Sequence, residues 1–187
     1  LTVQAMELAF DRIASHPVVT IAIQRSHHIA CLAAYPKLAT DRGYFMFLCS
    51  SGPNNQTVAP YGGLKAVYTP NPIGIGIPTK GEPIIIDVSM STTSNTLIGR
   101  HQSLGQPLPH AWLQDNEGNA TDDASVLSSD PPGTVMPLGG LDLGYKGFAL
   151  GLMVEAMTSA LAGYGRSDNP DQWGVSVFLQ MINPDAF

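Results

Sequence analysis

At 187 residues, with 44% hydrophobic and 13% charged side chains, the chain is long enough for a substantial core and too apolar for global disorder. A net charge of −6 with no Lys/Arg cluster excludes a nucleic-acid footprint. Two cysteines, Cys31 and Cys49, are too few for a disulfide framework, and with nothing resembling a secretory leader they predict a reducing, cytoplasmic setting.

In chain order, Val3 to Ser15 carries Ala5, Met6, Leu8, Ala9, Phe10 and Ile13, the period of an amphipathic helix. Val18 to Ile23 is a β-branched run of buried-strand type. Ser26 can cap a helix from about His28 to Arg42, with Pro36 kinking it or shifting its start, and Gly43 closing it. Tyr44 to Cys49 reads as a second strand, so the first fifty residues predict a largely parallel unit covered on both faces. Ser50 to Gly63 is a Gly/Pro/Asn-rich loop. Ile73-Gly74-Ile75-Gly76-Ile77 predicts a strand with one bare face that can lie against another backbone. Ile84 to Val88 is a further strand, Ser89 to Ile98 a polar segment of possible helix, and residues 100–140 a long irregular excursion. Lys146 to Leu161 is the strongest helix; Gly147 to Gly163 is apolar but broken by Glu155 and too short to span a membrane, so no membrane partner is expected. Val175 to Ile182 is the last strand. Asn183 and Pro184 have the N-cap and first-residue chemistry of a helix beginning, which implies that the chain continues in a longer protein.

Three residues stand where chemistry is expected. His28 follows a strand and opens the expected helix, where the helix dipole favours a neutral imidazole able to accept a proton; a histidine with an ordinary structural hydrogen bond is the equal alternative. Asp87 ends an apolar strand, the place from which a carboxylate holds ribose hydroxyls; a helix N-cap or turn carboxylate is the stronger reading of that residue alone. Lys146, in Gly144-Tyr145-Lys146-Gly147, would oppose the dipole of its helix unless an anion offsets it, the alternative being a solvated lysine. A Gly-x-Gly-x-x-Gly fingerprint, a Walker loop, His-Glu-x-x-His, Cys-x-x-Cys and Gly-x-Ser-x-Gly are all absent, and no metal-ligand spacing occurs.

Ser26-His27-His28-Ile29-Ala30, Val58-Ala59-Pro60-Tyr61-Gly62-Gly63 and Asn71-Pro72-Ile73-Gly74 occur in that order. They are followed by Pro83 to Ser89, then Pro137-Leu138-Gly139-Gly140 with Tyr145-Lys146-Gly147-Phe148, and finally Phe178 to Phe187. Together these runs resemble the malate/L-lactate dehydrogenase family of the non-Rossmann type, which includes ureidoglycolate and sulfolactate dehydrogenases and a reductase of cyclic imino acids.

The resemblance implies an α/β fold, a large mixed sheet flanked by helices, that binds NAD or NADP without a Rossmann loop. It further implies hydride transfer between a small 2-hydroxy acid, malate- or lactate-like, and its 2-oxo acid, in a homodimer. His28 falls on the family histidine that contacts cofactor and substrate and in some members is the base. Ile29, Ala30, Cys31 and Leu32 fall on backbone over the cofactor phosphates, and Ser51, Asp87, Val88 and Ser89 on further cofactor contacts. Lys146 falls on the lysine near the nicotinamide. Thr69 neighbours the substrate threonine position, Tyr145 stands where many members have His, and Asn95-Thr96 replaces a pair commonly ending in Gly, so these four are the substrate-side candidates. In the family order His28, Asp87 and Lys146 are expected to wall one nicotinamide pocket. Family members also carry an N-terminal helical region with a Ser-His-Gly motif and a substrate Arg, and a C-terminal segment; the chain reads as the central, cofactor-binding portion. The competing readings are a nucleotide-binding fragment without turnover and a cyclic imino acid reductase using the same site.

Overall fold

The computed structural model describes all 187 residues. The elements in order are α1 (Thr2–Ile13), β1 (Val18–Ser26), α2 (Ala34–Thr40), β2 (Phe45–Ser51), β3 (Ile73–Ile77), β4 (Ile84–Val88) and α3 (Asn95–Leu104). They are followed by β5 (Leu113–Gln114), β6 (Ala120–Thr121), β7 (Thr134–Val135), α4 (Gly140–Glu155) and β8 (Val175–Ile182). The chain divides into two compact units. The first comprises Leu1–Asn54, Pro72–Val88 and Val154–Phe187; the second comprises Asn55–Asn71 and Ser89–Met153.

In the first unit five strands form one sheet in the order β1-β8-β2-β3-β4. Helices flank it, as an α/β fold requires, but every ladder is antiparallel, which corrects the expectation of a mixed and locally parallel sheet. The reason is topological. β1 and β2 do run in the same direction, yet β8 lies between them and opposes both, with Leu179 opposite Ile21 on one side and Leu48 on the other. As an interior strand paired on both sides, β8 is buried along nearly its whole length, which explains its unbroken apolar run. The core combines Met6, Ala9 and Ile13, one stripe of α1, with Met46, Leu48, Val177, Leu179 and Met181.

The bare face of β3 is used as its alternation predicts. A methyl group on Gly76 would lie 2.8 Å from Pro36 Cβ and Thr40 Cγ2, and one on Gly74 would lie 3.0 Å from Leu32 Cβ. α2 and the loop before it therefore rest on the backbone of β3. α2 itself starts at Ala34, not near His28. Pro36 becomes its third residue, inside the first turn, where a missing N–H breaks no helical hydrogen bond. Gly43, with φ 82°, turns the chain out of the helix as expected.

In the second unit the stretch 100–140 is structured after all. It holds the end of α3, the three-stranded antiparallel sheet β6-β5-β7 and a 3-10 turn, Ala124–Ser128. Two-residue strands are too short to show alternation, so no period betrays them. Val58, Tyr68, Ile98, Leu108, Leu113, Ala124 and Val135 form the core. α3 begins later than the polar segment predicts, at Asn95 behind its cap Ser94, because Ser89 and Ser91 bond to the main chain at Ser91 and Thr93 instead. α4 begins earlier, at Gly140, and its glycines are a packing face: side chains on Gly144, Gly147 and Gly151 would strike Pro137, Leu138 and Tyr68. No helix is long and apolar enough to cross a membrane.

Burial separates the two cysteines. Cys49 in β2 is fully buried, and burial pushes its thiol from the ordinary 9.0 up to about 12, whereas Cys31 is exposed. A thiol probe at about pH 8 is expected to label Cys31 and to reach Cys49 only on unfolding. From 9.0 upward the unfolded thiol ionises while the folded one keeps its proton to about 12, so Cys49 makes stability fall as pH rises through that window. Denaturant midpoints taken at increasing pH, compared with those of Cys49→Ala, check this.

Candidate functional site

The first unit brings His28 to Leu32 and Asp87 into one local arrangement, with Asp87 as its anchor. This carboxylate, exposed near the end of edge strand β4, accepts a hydrogen bond from the Ala33 main-chain N–H at 2.9 Å and lies 3.5 Å from Cys31 Sγ. It is neither an N-cap nor a local turn carboxylate, because its partners lie more than fifty residues upstream. Only Oδ2 is engaged; Oδ1 is left for a further donor. Asp87 thus ties down residues 31–33, while Leu32 seats the same loop on Gly74.

His28 stands at the other end of that loop. It is exposed, its ring centroid is 6.3 Å from that of Trp173, and with Ser26, Tyr35 and the start of α1 it lines a cleft of about 160 Å³. Since α2 begins only at Ala34, His28 does not sit at a helix N-terminus, and the expected helix-dipole effect on its imidazole does not arise. What holds it instead is local: the Ala30 main-chain N–H donates to His28 Nδ1 at 3.0 Å. Ala30 reaches that position with φ 57°, a left-handed conformation that costs a residue with a Cβ roughly 1–2 kcal/mol. Ile29 is buried and its carbonyl accepts from the Tyr35 hydroxyl at 2.8 Å. The main-chain N–H groups of Cys31 and Leu32 are taken by no acceptor of the protein, and Cys31 is exposed while Leu32 is buried.

Ser51 is placed differently from expectation. It is 1% exposed, and its hydroxyl donates to Glu155 Oε1 at 2.6 Å and accepts from Arg166 at 3.3 Å. Arg166 and Glu155 pair at 2.9 Å, and Arg166 also donates to the Pro53 carbonyl. The Ser51 hydroxyl therefore belongs to a half-buried ionic cluster at the start of a π-helical turn, Ala156–Ala160. Nothing in the local sequence points to this cluster, whose members come from three distant segments.

In the second unit Lys146 lies nearly two turns inside α4, beyond the first turn where a cation would oppose the helix dipole. It is exposed, with Nζ 5.9 Å from the Tyr145 ring centre. Tyr145, half exposed, packs edge to face on Tyr61 at 5.8 Å. Asn95 and the exposed Thr96 are the first two residues of α3. Thr69 is buried, and its hydroxyl donates to Asn71 Oδ1 at 2.6 Å. Asn71, missed by sequence reasoning, is fully buried at φ 45° and donates to the Gly151 carbonyl; its place between Pro70 and Pro72 was the available signal. Val88 ends β4 in the first unit, and Ser89 opens the next segment with its hydroxyl turned to Ser91. No group of three or more His, Cys, Asp or Glu side chains that could hold a metal occurs.

An antiparallel sheet flanked by helices defines a non-Rossmann α/β protein. A family model described as malate/L-lactate dehydrogenase matches residues 1–187, and the chain belongs to that family. It is 30% identical over 187 residues to the L-lactate dehydrogenase of Cupriavidus necator, a match covering 96% of this chain and 52% of that protein. It is 32% identical over 147 residues to the (2R)-3-sulfolactate dehydrogenase (NADP(+)) of Chromohalobacter salexigens, covering 78% of this chain and 41% of that one. The crystal structure of delta1-piperideine-2-carboxylate reductase from Pseudomonas syringae pvar. tomato superposes with a TM-score of 0.85 at 28% identity, over 98% of this chain and 55% of that one. The chain spans about half the length of the curated relatives it matches.

Proposed function

We propose that the full-length protein containing this chain is an NAD(P)-dependent oxidoreductase that interconverts a small 2-hydroxy acid and its 2-oxo acid. The observation that carries this reading is the Asp87–Ala33 junction: it fixes a loop with unspent main-chain donors beside a carboxylate with an oxygen to spare. These groups fit a dinucleotide, which needs donors for its phosphates and an acceptor for its ribose hydroxyls. The bound nicotinamide would supply or accept the hydride at C2 of the acid. Cys31 and Leu32 offer N–H groups to the phosphates, with Ile29 and Ala30 shaping the turn, and Asp87 receives hydroxyls. Lys146 contributes positive potential for a carboxylate or the cofactor, and Tyr145, Asn95 and Thr96 are the substrate-side groups. The dinucleotide is NAD or NADP, and the relative named for NADP(+) keeps both in view. A homodimer in the cytoplasm completes the proposal, on the strength of the resemblance and the two free cysteines.

Oxidation of NADH or NADPH by the full-length protein, dependent on an added 2-oxo acid, is the decisive measurement. A second reading, reduction of a cyclic imino acid, is favoured by the likeness to the piperideine-carboxylate reductase. Turnover with a cyclic imine and none with 2-oxo acids selects it, and no turnover with either removes both. Asp87→Ala is expected to raise KM for the dinucleotide about tenfold to a hundredfold, the effect of losing hydrogen bonds to a charged acceptor. Asp87→Asn, which can still accept from Ala33, is expected to fall between. Steady-state kinetics with varied dinucleotide check both.

A further inference from the structure

The contact between Ala30 and His28 bears on how the proposed reaction moves its proton. A main-chain N–H can only donate, so at 3.0 Å from Ala30 N the His28 Nδ1 must present its lone pair. The ring proton of a neutral imidazole then sits on Nε2, at the edge of an exposed side chain. A base at that edge needs the opposite arrangement, a lone pair on Nε2 and a proton on Nδ1. That proton would face the Ala30 N–H, donor against donor. An acid at that edge fares no better, since releasing the Nε2 proton while Nδ1 stays bare would leave an imidazolate.

Resting on the oxidoreductase reading above, we propose that His28 is a fixed hydrogen-bond donor through Nε2–H, aimed at an oxygen of cofactor or substrate, and that the proton exchanged with the substrate oxygen is carried by another group. Ala30 is the positioning residue. Its left-handed φ of 57° turns its N–H back onto the ring two residues earlier, and a conformation that disfavours a Cβ is held there by the seated and anchored loop that follows. The Trp173 ring beside the imidazole helps to set its plane.

Two measurements on the full-length protein test this. Nitrogen-15 NMR of its histidines at about pH 8, with His28 assigned by its loss in His28→Gln, is expected to show a proton on Nε2 and none on Nδ1. The same tautomer is expected in Ala30→Gly, which keeps both the N–H and the positive φ. A proton on Nδ1 overturns the proposal, and this readout needs no turnover, so it stands apart from the success or failure of the dehydrogenase assay. In kinetics, Gln can offer an N–H from nearly the place of Nε2. His28→Gln is expected to stay within about threefold of the parent kcat/KM, while His28→Ala falls about tenfold to a hundredfold. Equal losses in the two variants overturn the donor role, because a base is not replaced by an amide. In His28→Ala, a raised KM for the dinucleotide places the accepting oxygen on the cofactor, and a raised KM for the 2-oxo acid or a lowered kcat places it on the substrate.

Discussion

Gly76→Ala is expected to destabilise the full-length protein by about 3 kcal/mol, at the upper end of overpacking penalties. The added methyl would lie 2.8 Å from Pro36 Cβ and Thr40 Cγ2 and 2.9 Å from the Pro36 carbonyl oxygen. None of these is the free end of a flexible side chain. Pro36 is a rigid ring in the first turn of α2, and both Pro36 and Thr40 are buried. Relief therefore requires α2 to lift from β3, and with it the loop that bears His28 and the Ala33 N–H. A urea titration should show the midpoint falling at unchanged slope. Gly81→Ala, at a position with no neighbour inside 4 Å, is the matched control and should leave the midpoint nearly where it was. An unchanged midpoint for Gly76→Ala would mean that α2 is not seated on β3.

Arg166→Ala is expected to cost about 3 kcal/mol, the low end of the range for removing one member of a buried pair. The two side chains are 17% and 21% exposed, so water screens them little. The substitution removes the cation facing Glu155, whose carboxylate also accepts from Ser51 and Ser159. Replacing both charges, as in Glu155→Leu with Arg166→Met, is expected to recover most of the loss, because the desolvation cost of the stranded carboxylate disappears with it. The double variant measured by the same urea titration separates a stranded charge from lost packing; no recovery would assign the loss to packing.

The residues that the sequence revealed best are those whose signal is local. β3, β4 and β8 lie where their apolar runs predict and are bounded as read, because β-branched runs between turn residues need no distant partner to be recognised. The stripe of α1 and the cap formed by Asn183 and Pro184 are visible for the same reason. Element starts were less legible. α4 runs six residues further toward its N-terminus than its apolar period implies, since glycines at 144 and 147 lower helix propensity but admit a close approach that only the packed chain displays.

At the candidate site, residue identity was legible and role was not. His28 follows β1 and Asp87 lies near the end of β4 as the sequence implies, but Lys146 lies well inside α4, and the observed helix starts remove the helix dipoles expected to act on His28 and Lys146. Asp87 gained the most, from an ambiguous carboxylate to the anchor of a loop more than fifty residues earlier.

By itself the sequence determined an α/β chain, the strands of the five-stranded sheet, the bare face of β3 and membership of a dehydrogenase family, all of which are written in short-range patterns or in the order of short motifs. Tertiary structure alone decided that the sheet is antiparallel, because β8 enters between β1 and β2 from the far end of the chain. It also decided that Ser51 and Thr69 are spent on internal partners and that His28 turns its Nδ1 to Ala30, because hydrogen bonds are settled by which groups meet in space rather than by which are neighbours in sequence.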